Sequence, residues 1–450
     1  MSERAIQERS CRWTPERLAG HQQRSVEKLR KHTLAHSPFY REFHRGLERA
    51  PLASLPILTK TTLMERFDDL VTDRNVTLAD AERYLRSENG TQLFRDRYVV
   101  MSTSGSTGRR GVFLFSPREW LRTLAGITRP IAWINTVERG KKPGRSALIA
   151  SSAPWHFSAR VGRALATNIM PTMRLDAATP VDELVARLNE WQPESLATFP
   201  SVLRELAAAQ SAGQLQIRLR AIASSAEVLS PDVRAAVRRA WGDITLQDTY
   251  GATEYAPIAT ECKLGRKHLF EDGAAIEVAD DSGRIVAPGE RGSRLLLTVF
   301  GRYTQPLIRY EISDVVTLTG EPCPCGRPYR TIESIEGRQE DVLYFEAATA
   351  GTANAPVAIH PNRWHDTLER FAVTAWQVVQ DAGDLSVRLI GAHDATLRVA
   401  VERAVREMLE TAGARVPPLE VKTVTQLERG ATGKAPLILA RRPRSPPPRH

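Results

Sequence analysis

The segment RAIASSAEVLSPDVRAAVRRAWGDITLQDTYGATE (residues 220–254) carries the plan of the chain in miniature. A β-rich run, RAIAS (220–224), is followed by Ser230-Pro231, a capping residue set before a proline that suits a first helical turn. The helix so opened runs to Trp241, and a second β-rich run, ITLQ (244–247), follows. A glycine-broken strand end then sets Tyr250, Gly251, Ala252, Thr253 and Glu254 side by side. The same alternation extends outward, through YVVM (98–101) and ALIA (147–150) on one side and LLLTVF (295–300) on the other. After Thr179-Pro180, the residues Val181, Leu184, Val185, Leu188 and Trp191 form one stripe of an amphipathic helix that stops before Pro193. From about Tyr98 to Val316 the pattern predicts a layered α/β domain.

The flanks differ. Thr14-Pro15 opens a polar helix through about Leu34, and Ser37-Pro38 ends it. Beyond Gly337 an Ala-rich stretch, EAATAGTANAPVA (346–358), precedes a helix (362–370), a hairpin (AWQVVQ, then DLSVRLI), a helix (395–411) and a strand near 419–424. We therefore expect an α/β protein in three parts: a large layered N-terminal domain (1–336), a small α+β C-terminal domain (337–440), and a tail (441–450). The tail, RRPRSPPPRH, is basic and Pro-rich, with too little apolar surface to pack, and is expected to be disordered.

At 450 residues the chain exceeds one ordinary core. Its net charge of +10 raises the question of a nucleic-acid partner, but four of those charges, Arg441, Arg442, Arg444 and Arg449, sit in the tail. Elsewhere charges of both signs alternate along helices, and interleaved aromatics that stack on bases are missing. Nucleic acid is therefore not an expected partner. No apolar run approaches the length needed to cross a bilayer, and the start MSERAIQERSCRW has no secretory apolar core. The expected location is the cytoplasm, and no membrane partner is expected.

Five motifs carry chemistry. Thr103, Ser104, Gly105, Ser106, Thr107 and Gly108 lie between YVVM and VFLF; glycines let backbone N–H groups turn toward an anion, and hydroxyls add donors. The loop is not of the Walker kind, since no Gly-Lys-Ser/Thr ending is present and a strand follows it. Tyr250 to Glu254 put an aromatic face, a hydroxyl and a carboxylate at a strand end, where open α/β sheets bind ligands. Asp314 closes the motif RYEISD (309–314), and a carboxylate so placed can grip a ribose diol. Arg338 lies in EGRQED (336–341), and Lys434 ends RGATGK (429–434), a Gly-rich loop whose lysine can neutralise a phosphate oxygen. Each motif alone also fits a surface turn or a solvated side chain; their order and spacing together do not.

Those residues give the chain its resemblance to the adenylate-forming superfamily of acyl-CoA synthetases, peptide-synthetase adenylation domains and luciferases. Within it the chain looks closest to the phenylacetate–CoA ligase-like branch, which includes relatives that adenylylate a deazaflavin coenzyme. The resemblance spans about residues 14–439. It implies that Thr103 to Gly108 hold the ATP phosphates and that Ser225, Ala226 and Glu227 face adenine. Tyr250, beside Gly251, matches the residue that stacks on adenine, Thr253 one that binds the α-phosphate, and Glu254 a Mg²⁺ ligand. Asp314 matches the ribose-binding aspartate, Arg338 the arginine before the hinge, and Lys434 the lysine that bridges acid and α-phosphate. It also implies a C-terminal lid that swings between two half-reactions, with CoA the leading acceptor and an amine, another nitrogen nucleophile or a coenzyme hydroxyl as alternatives. Two departures stand out: the phosphate loop continues as Arg109-Arg110-Gly111 where many relatives have Pro-Lys, and AATAGTANAP replaces the usual Gly-rich continuation after the hinge. The oligomeric state is left open, with a homodimer one outcome.

Trp155-His156-Phe157 and Thr198-Phe199 lie where the family lines its acyl pocket, with Thr249 beside them; Trp155, His156 and Phe199 there would suit a flat aryl acid. Finally, Cys262, His268, Cys323 and Cys325 offer three thiolates and one imidazole, enough to close a tetrahedral structural zinc site. The alternative is inert buried cysteines.

Overall fold

The computed structural model describes residues 3–87, 92–103, 110–133, 144–165, 171–338, 341–348, 356–359, 361–368, 370–381, 383–392, 394–430 and 435–440. Its centre is a ten-stranded mixed sheet. Strands Thr172–Asp176, Ser146–Ala150, Ser195–Thr198, Ala221–Ser225 and Thr245–Tyr250 lie side by side and parallel. The sheet then continues antiparallel through Ala259–Glu261, Lys267–Leu269, Thr331–Arg338, Asp314–Leu318 and Arg291–Gly292. The parallel half is built from strand–helix–strand crossovers, because parallel neighbours need a long connection. Helices Val181–Trp191, Pro200–Ser211 and Pro231–Trp241 make those connections and bury Leu184, Leu188, Leu203, Leu206, Val233 and Val237 against Ile149, Leu196 and Ile222. Each such aliphatic side chain contributes roughly 1.5–3 kcal/mol on full burial.

Local chemistry sets the helix limits. Ser230 accepts from the Val233 N–H at 3.3 Å, and Thr14 from the Arg17 N–H at 3.3 Å; such caps are each worth about 1 kcal/mol. The helix Val181–Trp191 ends where Gln192 turns left-handed ahead of Pro193. The run expected as ITLQ extends to Tyr250, because Ser225 and Thr260 flank Thr249 and hold the strand on both sides.

A three-stranded sheet (Ala274–Ala279, Arg294–Val299, Tyr310–Ile312) and the hairpin Val99–Ser102/Val112–Phe115 share a second core with the N-terminal helix Pro15–His36, through residues such as Leu29, Phe113 and Tyr310. The strand Thr331–Arg338 closes the central sheet, and the residues from Leu343 onward belong to other sheets. There strands Leu419–Thr423, Asp384–Ile390, Ala375–Asp381 and Ile438–Ala440 pack with helices Pro361–Leu368 and Ala395–Thr411 around Trp364, Trp376, Val387, Val401 and Leu409. The tail 441–450, expected to be disordered, lies outside the described residues. Among the described residues no helix is long and apolar enough to cross a membrane.

His44 is packed against Tyr40 and Phe43, and both its ring nitrogens are buried without a hydrogen-bond partner. Burial, with Arg30 nearby, pulls its imidazolium down to about 4. The unfolded chain takes up this proton first, near the ordinary value of about 6.5. Stability is therefore expected to be full above that value and to fall as pH drops toward 4. Urea unfolding at stepped pH checks this, with a shallower loss expected in His44→Phe; equal slopes in the two proteins would remove His44 as the cause.

Candidate active site

Four of the parallel strands deliver the expected residues at their carboxyl ends, where crossovers leave a crevice. Trp155 and His156 follow Ser146–Ala150, Phe199 follows Ser195–Thr198, Ala226 and Glu227 follow Ala221–Ser225, and Gly251 to Glu254 follow Thr245–Tyr250. The turn after Ser225 passes through Ala226 at φ 73°, a left-handed conformation that costs a residue with a Cβ roughly 1–2 kcal/mol.

The antiparallel half supplies the opposite wall. The Tyr250 hydroxyl donates to Asp314 Oδ2, joining motifs 64 residues apart. The Tyr310 hydroxyl donates to Glu254 Oε1 at 3.1 Å. Glu254 is buried, and its carbonyl accepts from Arg302 Nη1 at 2.9 Å. Arg302 also donates from Nε to the Gln305 carbonyl at 3.0 Å and lies over the Phe115 ring at 4.0 Å. Burial pulls its guanidinium down to about 10, with Glu119 and Glu254 opposing that shift. The site thus holds a desolvated cation directly behind Glu254. No motif marked Arg302 in the sequence, and Tyr310 lay inside a motif without an evident role.

The base of the Ser/Gly loop is fixed by a pair of contacts: Thr103 N–H donates to the Gly111 carbonyl at 2.9 Å, and Gly111 N–H to Thr103 Oγ1 at 2.8 Å. Ser102 N–H donates to the Trp155 carbonyl at 3.0 Å, which docks this hairpin beside the expected acyl pocket. Ser104, Gly105, Ser106, Thr107 and Gly108 themselves, Lys434 and the side chain of Arg338 lie outside the described residues.

Other expected residues have partners of their own. The Glu227 carboxylate accepts from Ser201 N at 2.8 Å and from Ser201 Oγ at 3.0 Å, so it caps the helix Pro200–Ser211. Phe199 is buried in the aliphatic core of the parallel half. His156 is buried, with Nδ1 2.5 Å from Ser151 Oγ, and Trp155 packs edge-on against it. Thr249 Oγ1 lies 2.9 Å from Thr260 Oγ1 across the strand pair. A cleft of about 320 Å³ opens beside Glu254, lined among others by Trp13, His21, Glu119, Arg122 and Arg302; Trp155, His156 and Phe199 do not line it.

Cys262, His268, Cys323 and Cys325 come together, their ligand atoms all within 4.8 Å of one another. Cys262 Sγ is 3.9 Å from Cys323 Sγ, and Cys325 Sγ 3.3 Å from His268 Nε2. Zn–S bonds of about 2.3 Å and Zn–N bonds of about 2.0–2.1 Å span edges of this size in a tetrahedron. His268 Nδ1 lies 3.1 Å from the Tyr329 carbonyl, which orients the ring with Nε2 toward the thiols. Burial pulls His268 down to about 4, so the imidazole is neutral at pH 7. Burial pushes Cys323 up to about 11, whereas at Cys325 hydrogen bonds from Arg327 and Cys323 outweigh burial and lower the thiol. The donor set fits a closed zinc site with no open position.

The sequence model of one family, described as AMP-binding enzyme, matches residues 49–297. A phenylacetate-coenzyme A ligase of Thermus thermophilus is 24% identical over 353 residues, covering 73% of this chain and 72% of that one. Protein CapK of Staphylococcus aureus is 23% identical over 353 residues, covering 77% of this chain and 71% of that one. Among solved structures, 2-hydroxyisobutyryl-CoA ligase in its postadenylation state superposes with a TM-score of 0.69 at 20% identity, over 93% of this chain and 88% of that one.

Proposed function

From the premise that the chain belongs to the AMP-binding enzyme family and is an adenylate-forming ligase, we propose that it activates a small carboxylic acid as its acyl-AMP and passes the acyl group to an acceptor. The observation that carries this reading is the meeting of Tyr250 with Asp314, and of Glu254 with Tyr310, at one end of the central sheet. Tyr250 presents a ring for adenine, with Asp314 beside it for the ribose. Thr103 and its loop take the phosphates, and Thr253 the α-phosphate. A carboxylate oxygen of the acid attacks the α-phosphorus and pyrophosphate leaves, with Lys434 balancing the charge that builds between acid and phosphate. Mg²⁺ held by Glu254 would supply further charge neutralisation on the phosphate oxygens.

An aryl acid is the substrate class we favour, because Trp155 and His156 stand at the strand end nearest the hairpin that carries the loop. CoA is the favoured acceptor: two similar proteins are named CoA ligases, and 2-hydroxyisobutyryl-CoA ligase has been solved with CoA bound. Transfer to a nitrogen nucleophile is the second reading, favoured by the altered segment AATAGTANAP. The residues from 337 to 440 are proposed to move as a lid, zinc to be structural, and the cytoplasm to be the setting that supplies ATP and CoA.

ATP–pyrophosphate exchange across a panel of aryl and aliphatic acids tests the reading. Acid-dependent exchange is the expected result, strongest with an aryl acid. Tight ATP binding without exchange for any acid would overturn it and favour AMP transfer to a hydroxyl.

A further inference from the structure

The residues that flank positions 431–434 are tied down on two sides. On one side, Gln377, fully buried in the strand Ala375–Asp381, grips both of its stems. Its Nε2 donates to the Glu428 carbonyl and to the Pro436 carbonyl, each at 2.9 Å, and its Oε1 accepts from Glu428 N at 3.1 Å. Leu427 and Ala435 are buried together on Ala375. Arg388 donates to Gln377 Oε1 at 3.3 Å and to Glu428 Oε2 at 2.8 Å. The loop between the stems therefore has a fixed base on the C-terminal sheet.

On the other side, Arg429 Nη2 reaches across to the helix Pro200–Ser211 and donates to both carboxylate oxygens of Glu205, each at 2.8 Å. Both side chains are largely buried, at 15% and 12% exposure, so the pair is shielded from solvent. Glu205 lies one helical turn from Ser201, about 6 Å along the axis. Ser201 is the residue held by Glu227, at the strand end proposed to face adenine. One helix thus links the adenine end of the sheet to the stem of the lysine loop. Losing one partner of such a pair leaves a buried charge uncompensated, so the contact favours one placement of the loop over others.

We propose that Glu205 is a positioning residue for adenylation: through Arg429 it fixes the stem, residues 427–430, that leads to Lys434 in the chain. This rests on the adenylation reading above, with Lys434 as the lysine that bridges acid and phosphate. Glu205 touches no reacting atom. Its effect should fall on the rate of the first half-reaction and leave ATP binding alone, because the nucleotide's own proposed contacts come from the central sheet and from the hairpin Val99–Ser102/Val112–Phe115.

The test compares ATP–pyrophosphate exchange in the full-length chain and in Glu205→Gln, the swapped pair Glu205→Arg/Arg429→Glu, and Lys434→Ala. Glu205→Gln is expected to lower kcat of exchange about 10- to 100-fold, the scale of a misplaced catalytic group. KM for ATP should stay within about twofold, and the swapped pair should recover most of the rate. Unchanged kcat in Glu205→Gln, or a swapped pair no better than the single variant, would overturn the proposal. Exchange that survives in Lys434→Ala would instead overturn the role of the lysine. Should the wild type exchange with no acid, amide hydrogen exchange decides the anchor by itself: residues 424–430 are expected to exchange faster in Glu205→Gln, and identical protection would refute it.

Discussion

Replacing Glu254 by Gln is expected to cut acid-dependent ATP–pyrophosphate exchange about 100- to 1,000-fold while the protein stays folded. The substitution keeps the shape of the side chain and an oxygen that can accept from the Tyr310 hydroxyl. It also keeps the backbone carbonyl on which Arg302 rests. Only the negative charge goes. That charge faces two demands: it flanks the buried Arg302, and it would hold Mg²⁺ against the phosphates. Loss of one electrostatic stabiliser of a charged transition state is worth about 3–4 kcal/mol, which is two to three orders of magnitude in rate. Tyr310→Phe serves as comparator, because it removes the hydrogen bond and leaves the charge; a loss of about tenfold or less is expected there. Thermal midpoints within a few degrees of wild type would show that both variants fold. Exchange in Glu254→Gln within tenfold of wild type would remove this carboxylate from the chemistry.

The second large effect concerns stability. The freshly purified protein is expected to contain one zinc per chain. Its removal by a chelator, or the loss of a ligand in Cys323→Ser, is expected to lower the thermal midpoint by about 6 °C. Metal at about 1,000 times its Kd stabilises the folded state by about 4 kcal/mol. In a unit of roughly 330 residues, at about 2 cal/mol/K per residue, each kcal/mol shifts the midpoint by about 1.4 °C. Cys262, Cys323 and Cys325 also sit within a small core of Leu18, Trp133, Phe270 and Tyr329, and His268 packs edge-on against Trp133, which would couple a bound metal to the N-terminal helix. Metal analysis and melting curves, with zinc added back to the chelated protein, check the prediction. Metal-free protein with an unaltered midpoint in Cys323→Ser would leave the cluster as buried thiols.

Much of this architecture could be read from the chain because it rests on local signals. Ser230-Pro231 fixes one helix start, and Asp394, whose side chain accepts from the Thr396 N–H, fixes that of Ala395–Thr411. Alternating apolar residues in AWQVVQ and DLSVRLI mark a hairpin that the structure pairs from Ala375 with Ile390 to Asp381 with Asp384. The motif around Tyr250 stood out only together with the other motifs, through their order and spacing along the chain. What stayed hidden depends on partners far away in sequence. The cap that Glu227 places on Ser201 spans 26 residues, and the grip of Arg429 on Glu205 spans 224. Arg302 was illegible for another reason: a lone arginine has no pattern, and only the fold reveals that carbonyls and an aromatic face replace its water. Three cysteines and a histidine suggested a metal by residue type, whereas the closeness of Cys262 and His268 to Cys323 and Cys325 is a product of the fold, including the antiparallel pairing of Lys267–Leu269 with Thr331–Arg338.

The bond between Tyr250 and Asp314 also has a bearing on how the protein is born. Tyr250 and Asp314 lie 64 residues apart, so a growing chain carries the tyrosine well before the aspartate exists. At about 5–20 residues per second, translation separates the two by about 3–13 seconds. Through that interval the central sheet can extend only as far as Lys267–Leu269, whose outer edge stays open until Thr331–Arg338 is made. A ribosome that pauses between these positions would prolong that exposure, whereas a nucleotide ligand has nothing complete to bind until the later strand arrives. Chaperones that shield unpaired edges would therefore matter most in this window, and small molecules that resemble ATP least.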